Sequence, residues 1–219
     1  MRYPGKELPQ SILSQKIIPN VNEEFAKMYH MPEGHKSAGI LTADNDDVIY
    51  CALDDATKKS NIQVVSAGNS YGGNACSWSK YGGAIFALIS GPKVADVKSG
   101  MNYIQDYVRT HPFLYTLDDE ESLAYYVDLI PKAGKYYQEL LQVPEGTSLA
   151  YLAGPPAESV YALDKALKAG PTKVVKFWAP PSRGNCGGAI LAGTESACKS
   201  SLEAFVQAMT YCAMHPMDL

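Results

Sequence analysis

The chain nearly repeats itself once, at a spacing of about half its 219 residues. Tyr50-Cys51-Ala52-Leu53-Asp54-Asp55-Ala56-Thr57-Lys58 is answered by Tyr161-Ala162-Leu163-Asp164-Lys165-Ala166-Leu167-Lys168. Leu53 and Leu163, Asp54 and Asp164, and Val64-Val65 and Val174-Val175 all stand 110 positions apart. Met31-Pro32-Glu33-Gly34 recurs as Val143-Pro144-Glu145-Gly146 at 112, and Gly82-Gly83-Ala84-Ile85 as Gly187-Gly188-Ala189-Ile190 at 105. One supersecondary unit is therefore present twice, with its length changes confined to loops. Two copies are too few for a solenoid, which needs about three to bury its faces. The spacing predicts two similar domains of roughly 100 residues, packed with local pseudo-twofold symmetry.

Within each copy the order reads strand, helix, strand, loop, strand, helix. Residues 37–42 are short and apolar, as a strand is, and Asp44-Asn45-Asp46-Asp47 supplies helix-start chemistry, because carboxylates near a first turn accept its free amides. Residues 61–65 and 84–89 read as strands. Val94, Val97, Met101, Ile104 and Val108 follow helical spacing after Pro92. The second copy gives strand 149–153, helix 158–169, strands 173–178 and 189–192, and helix 195–213. A further helix precedes each core, over 21–29 and 135–141. The expected fold class is α+β, a small mostly antiparallel sheet with helices in each copy.

Composition narrows the function. A net charge of −4 with no Lys/Arg stripe argues against a nucleic-acid partner, and no run reaches the about 18 apolar residues of a membrane span. Met1 to Gly5 shows no apolar signal-peptide stretch, so cytoplasmic residence is expected. Charged residues make up only 19 %, which suits burial of surface in an assembly. Five cysteines without CxxC or zinc-ligand spacing read as free thiols, and no metal or cofactor is expected.

Residues 66–80 (SAGNSYGGNACSWSK) and 179–188 (APPSRGNCGG) occupy the same place in the two copies. Their Gly, Ser, Asn and Pro permit tight, adaptable backbone paths. Neither matches a P-loop or dinucleotide fingerprint. Two other readings stand beside a structural role. In one, Cys76 or Cys186 is a nucleophile with His111 or His215 as base, but neither loop carries a cysteine-hydrolase signature. In the other, the chain is a soluble metabolite-binding regulatory protein built from duplicated α+β domains.

Leu41-Thr42-Ala43-Asp44-Asn45-Asp46-Asp47-Val48, Ala52-Leu53-Asp54-Asp55-Ala56-Thr57-Lys58, Tyr151-Leu152-Ala153-Gly154-Pro155-Pro156-Ala157-Glu158 and Gly193-Thr194-Glu195-Ser196-Ala197-Cys198-Lys199 carry a resemblance. Together they are similar to bacterial microcompartment shell proteins, of the tandem-domain trimeric type found in ethanolamine-utilisation compartments. The resemblance implies a non-enzymatic building block of the compartment shell, with two circularly permuted BMC domains over 1–112 and 113–219. It implies homotrimers that mimic hexamers, tile edge to edge with other shell proteins, and pass metabolites through a gated central pore.

The two Gly-rich loops fall where that family has its gate. Asn69, Ser70, Tyr71, Gly72, Gly73 and Trp78 come from the first, and Gly184, Asn185 and Cys186 from the second. The first loop is expected to be longer by five residues and to supply most of the plug. A related tandem shell protein holds an iron–sulfur cluster near such an axis, but a solitary Cys186 beside glycines reads as a small residue in a tight loop. Asp46 and Asp47 match family positions that hold the ammonium group of ethanolamine in a smaller pore, with Phe113 and Leu114 as apolar neighbours. The family's third carboxylate falls at Ala84, so ethanolamine, the small polar metabolite implied, should bind weakly here. Simple stabilisation of a helix N-terminus is the other reading of the Asp46-Asp47 pair.

Overall fold

The computed structural model describes residues 3–69, 84–110, 114–180, 182 and 186–217. The first half of the chain runs β1 (Lys6–Leu8), β2 (Ile12–Ile18), α1 (Glu23–Met28), β3 (Ser37–Ala43), α2 (Asp46–Lys59), β4 (Gln63–Asn69), β5 (Ile85–Gly91) and α3 (Val94–Thr110). The second half follows with β6 (Leu114–Thr116), β7 (Ala124–Ile130), α4 (Lys135–Leu141), β8 (Ser148–Gly154), α5 (Pro156–Ala169), β9 (Lys173–Trp178), β10 (Gly187–Gly193) and α6 (Glu195–Met214). These segments form two compact units.

One unit, residues 10–111 with 134–140, holds a four-stranded sheet ordered β2-β3-β5-β4. The other, residues 1–9, 112–133 and 141–219, holds a sheet ordered β1-β6-β7-β8-β10-β9. Its last four strands, β7-β8-β10-β9, repeat the order of the smaller sheet, and β1 and β6 extend it at one edge. Every pairing is antiparallel. The α+β class with antiparallel sheets agrees with the sequence reading.

The duplication reaches into backbone detail. His30 and Gln142, 112 apart, both take positive φ (51° and 53°), and so do Gly34 and Gly146 (82° and 84°). The ladder between β4 and β5 slips at Val65, and that between β9 and β10 slips at Val175, exactly 110 residues on. A bulge in the same rung of two sheets is a retained architectural feature, since each adds one unpaired residue and bends its strand.

The register corrects one detail. Ser66 and Lys176 are 110 apart, but their partners Leu88 and Ile190 are 102 apart, so the first copy carries eight extra residues between them. Gly82 therefore does not correspond to Gly187; Ile85 does, as the first residue of its strand. The Gly-Gly-Ala-Ile match at 105 is a local coincidence of composition. The strand also runs on to Asn69, so Ser66–Asn69 are ladder rather than loop.

In the larger unit α5 and α6 cover one sheet face, where Tyr125, Val127, Leu152, Leu191, Leu202 and Phe205 form the core. In the smaller unit Leu41, Leu53, Leu88, Val97 and Ile104 are buried. The start of α2 follows from its sequence: Asn45 Oδ1 accepts from Val48 N at 3.1 Å, Asp46 and Asp47 occupy the first turn, and Lys58 and Lys59 the last.

Candidate functional site

The acidic pair sits where β4 ends beside the first turn of α2. Asn69, the last residue of β4, donates from Nδ2 to Asp46 Oδ2 at 2.5 Å. Asp46 as a residue keeps some surface, but its carboxylate is turned inward, and burial followed by repulsion from Asp47 holds it well above the usual carboxylate range. Tyr50 lies one helical turn further on. Burial pushes its phenol up, Asp46, Tyr136 and Asp47 add to that, and a backbone hydrogen bond with Asn69 opposes it. The result is a strand end and a helix start joined through one carboxylate and walled by phenols. Two adjacent carboxylates that resist sharing negative charge favour a proton or a small cation between them.

The same helix carries a second polar cluster on its next turns. Asp54, fully buried, accepts Gly134 N at Oδ2 (2.8 Å) and Tyr137 N at Oδ1 (2.9 Å), and pairs with Lys58 at 3.1 Å. Thr57 donates to the Asp54 carbonyl at 2.7 Å and receives Tyr136 N at 3.4 Å. Cys51 Sγ lies 3.4 Å from the Tyr137 hydroxyl. Side chains of α2 thus satisfy the open amides at the start of α4, a cap supplied 80 residues away in sequence. Gly134 is required by closeness: a Cβ there would lie 2.4 Å from the Asp54 carbonyl oxygen.

Of the residues expected at a small pore or gate, the structure joins Asp46 to Asn69, which was expected in the gating loop instead. Leu114 is buried in β6 opposite Leu8, inside the larger sheet. Cys186 accepts Ser182 Oγ at its carbonyl, 2.6 Å away. Phe113, Ser70, Tyr71, Gly72, Gly73, Trp78, Gly184 and Asn185 lie outside the described residues. Sequence reasoning missed Tyr50 and Tyr136. Tyr50 was findable as the residue four after Asp46, on the same helical face; Tyr136 was not, because α4 reaches the site through tertiary packing. Among the described residues no cluster of His, Cys, Asp and Glu could hold a metal ion.

Residues 37–116 match the BMC domain model. Bacterial microcompartment shell protein EutL of Clostridium perfringens (strain 13 / Type A) is 40 % identical over 207 residues, 94 % of this chain and 95 % of that protein. The chain belongs to the EutL family of microcompartment shell proteins. A solved EutL structure from Leptotrichia buccalis C-1013-b superposes with a TM-score of 0.92 at 42 % identity, covering 98 % of this chain and 99 % of that one. A trimeric bacterial microcompartment shell protein, PduB, shares the fold at a TM-score of 0.73 and 19 % identity, covering 93 % and 89 %. As a EutL-family member the chain is a structural component of a microcompartment shell and not an enzyme. That decides against both the cysteine nucleophile and the soluble regulator. No helix among the described residues is long and apolar enough to cross a membrane.

Proposed function

We propose that the chain builds trimers that act as pseudohexamers and tile with other shell proteins, with a gated central pore for metabolite passage. The observation that carries this reading is the duplication itself. One chain presents two units with the same strand order, the same positive-φ turn and the same bulge, so three chains offer six equivalent wedges. The fold shared with a trimeric shell protein supports the count. Residues 1–112 and 113–219 are the two shell domains by descent, and the folded units exchange β1 and α4 between them. The parts of 66–80 and 179–188 that lie beyond β4 and before β10 are the gate.

Asp46 and Asp47 are the small-pore cation site. Ala84 stands where a third carboxylate would add a charge-assisted contact of about 1.5–3 kcal/mol, so ethanolamine binds weakly. Light scattering at micromolar concentration with electron microscopy of concentrated protein tests the assembly: trimers that tile into sheets are expected, and a monodisperse monomer overturns it.

A further inference from the structure

One rung of the smaller sheet joins Ala38, Ser90 and Gln63 across β3, β5 and β4. The matching rung of the larger sheet joins Leu149, Ala192 and Lys173 across β8, β10 and β9. In the first copy this end of the sheet is closed: His35 Nδ1 lies 2.7 Å from Ser90 Oγ, and Ser90 is 0 % exposed. The second copy is one residue shorter here. Gly34 and Gly146 are 112 apart, but Ser37 and Ser148, which begin β3 and β8, are 111 apart. Thr147 N bonds Pro144 O as His35 N bonds Pro32 O, yet Thr147 O accepts Ala133 N as Lys36 O accepts Val21 N. One residue thus stands for two, and no imidazole reaches the sheet. The Thr147 hydroxyl donates to Pro144 O at 2.8 Å, and Ala192 replaces the serine.

The space so opened is a cavity of about 540 Å³, lined among others by Leu141, Val143, Pro144, Val174, Ala192 and Lys173. Pro144 and Val174 are exposed, whereas their counterparts Pro32 and Val64 are half-buried. Ordinary ligand sites enclose about 300–1,000 Å³.

We propose that this cavity binds a small organic carboxylate with a short unbranched chain, the chain against Leu141, Val143 and Val174 and the carboxylate on Lys173. The difference between the copies sets that class. It removes a hydrogen-bonded polar pair from the wall and exchanges the neutral amide of Gln63 for the ammonium of Lys173, so the site is apolar within and positive at one point. Among the described residues no carboxylate lines the cavity, and Glu145, beside Pro144 in the chain, is held by Lys132 at 2.9 Å. Lys173 is left to an incoming anion, and a charge-assisted contact of that kind is stronger than a neutral one. The site differs from the Asp46-Asp47 pair in sign, and its lining lies wholly in the larger unit of one chain, so it stands apart from the trimer reading.

Saturation-transfer NMR on the full chain, titrated with butanoate, hexanoate and octanoate and with hexylamine as the cationic control, tests it. Affinity should rise about two- to fourfold with each methylene, as chain burial requires, and hexylamine should bind at least tenfold more weakly than hexanoate. Lys173→Gln, the residue of the first copy's rung, should weaken hexanoate about tenfold, and Ala192→Leu, which fills the hole, should weaken the whole series. Circular dichroism checks that both variants fold; Lys173 is exposed, so its replacement leaves the core intact. Silence from all three carboxylates, equal binding of hexylamine, no dependence on chain length, or native affinity in either variant overturns the site.

Discussion

Asp54 and Asp164 occupy the same position in the two copies yet have opposite environments, which makes them a controlled pair. Asp54→Ala removes a fully buried carboxylate that accepts two main-chain amides, leaving Gly134 N and Tyr137 N without those acceptors and Lys58 without its 3.1 Å partner. Hydrogen bonds to a charged group contribute about 1.5–3 kcal/mol each, and removing one member of a buried ion pair costs about 3–5 kcal/mol. These overlap rather than add, so the expected loss is about 3–5 kcal/mol, or roughly 6–20 °C in Tm for a chain of this size. Asp164→Ala removes only a surface i,i+4 pair with Lys168, whose two side chains are 53 % and 69 % exposed, and should cost about 0.5 kcal/mol or less. Urea unfolding of both variants at matched protein concentration is the assay. Losses of similar size would refute the claim that α2 caps α4, because only Asp54 has amides to satisfy.

Gly134→Ala should destabilise by about 2 kcal/mol or more, since its Cβ meets the Asp54 carbonyl at 2.4 Å and the close approach must open; a neutral result in thermal unfolding would count against that geometry. Asp46 should make stability fall as pH rises. Between the ordinary carboxylate range and its raised native value the folded state binds more protons than the unfolded one. Asp46→Asn should reduce that slope in urea midpoints taken from pH 4 to 8, leaving the share of Asp44, which burial also raises, and an unchanged slope would show other groups responsible. Ethanolamine should give little heat in calorimetry, and tight binding insensitive to Asp46→Asn would refute the small-pore assignment. Replacing Gly72 and Gly73 with Ala should change flux through the assembled shell without changing trimer size; equal flux would remove those glycines from the gate.

Most of the fold was legible because the two copies annotate each other. The helix over 135–141 and the start of α2 at Asp44–Asp47 are local signals, caps and apolar spacing, and the structure has both. β2 and β7 were missed for a physical reason. They are equivalent, 112 apart, but β2 is an edge strand with Leu13 to Lys16 exposed, whereas β7 is interior and largely buried. Different surroundings selected ILSQKII in one and AYYVDLI in the other, so the repeat is silent there. β1 and β6 are three residues each and exist through pairing with one another, Lys6 with Thr116, which no local pattern announces. At the site, Asp46 and Asp47 were legible as residues, but their links to Asn69, Tyr50 and Tyr136 depend on a strand end and a distant helix.

The exchange of β1 and α4 between the halves has a consequence for synthesis. When the first 111 residues have left the ribosome, the outer face of α2 is still bare, with Asp54 and Cys51 in water, and it stays so until Gly134 to Leu140 emerge. β1 likewise waits for β6, about 110 residues behind it. The smaller unit therefore closes only when residue 140 is out, about 30 residues after its own half has ended, and the larger unit, which holds β1 from the start of the chain, closes last with α6. A chain cut between its two repeats would be left with that face of α2 bare permanently.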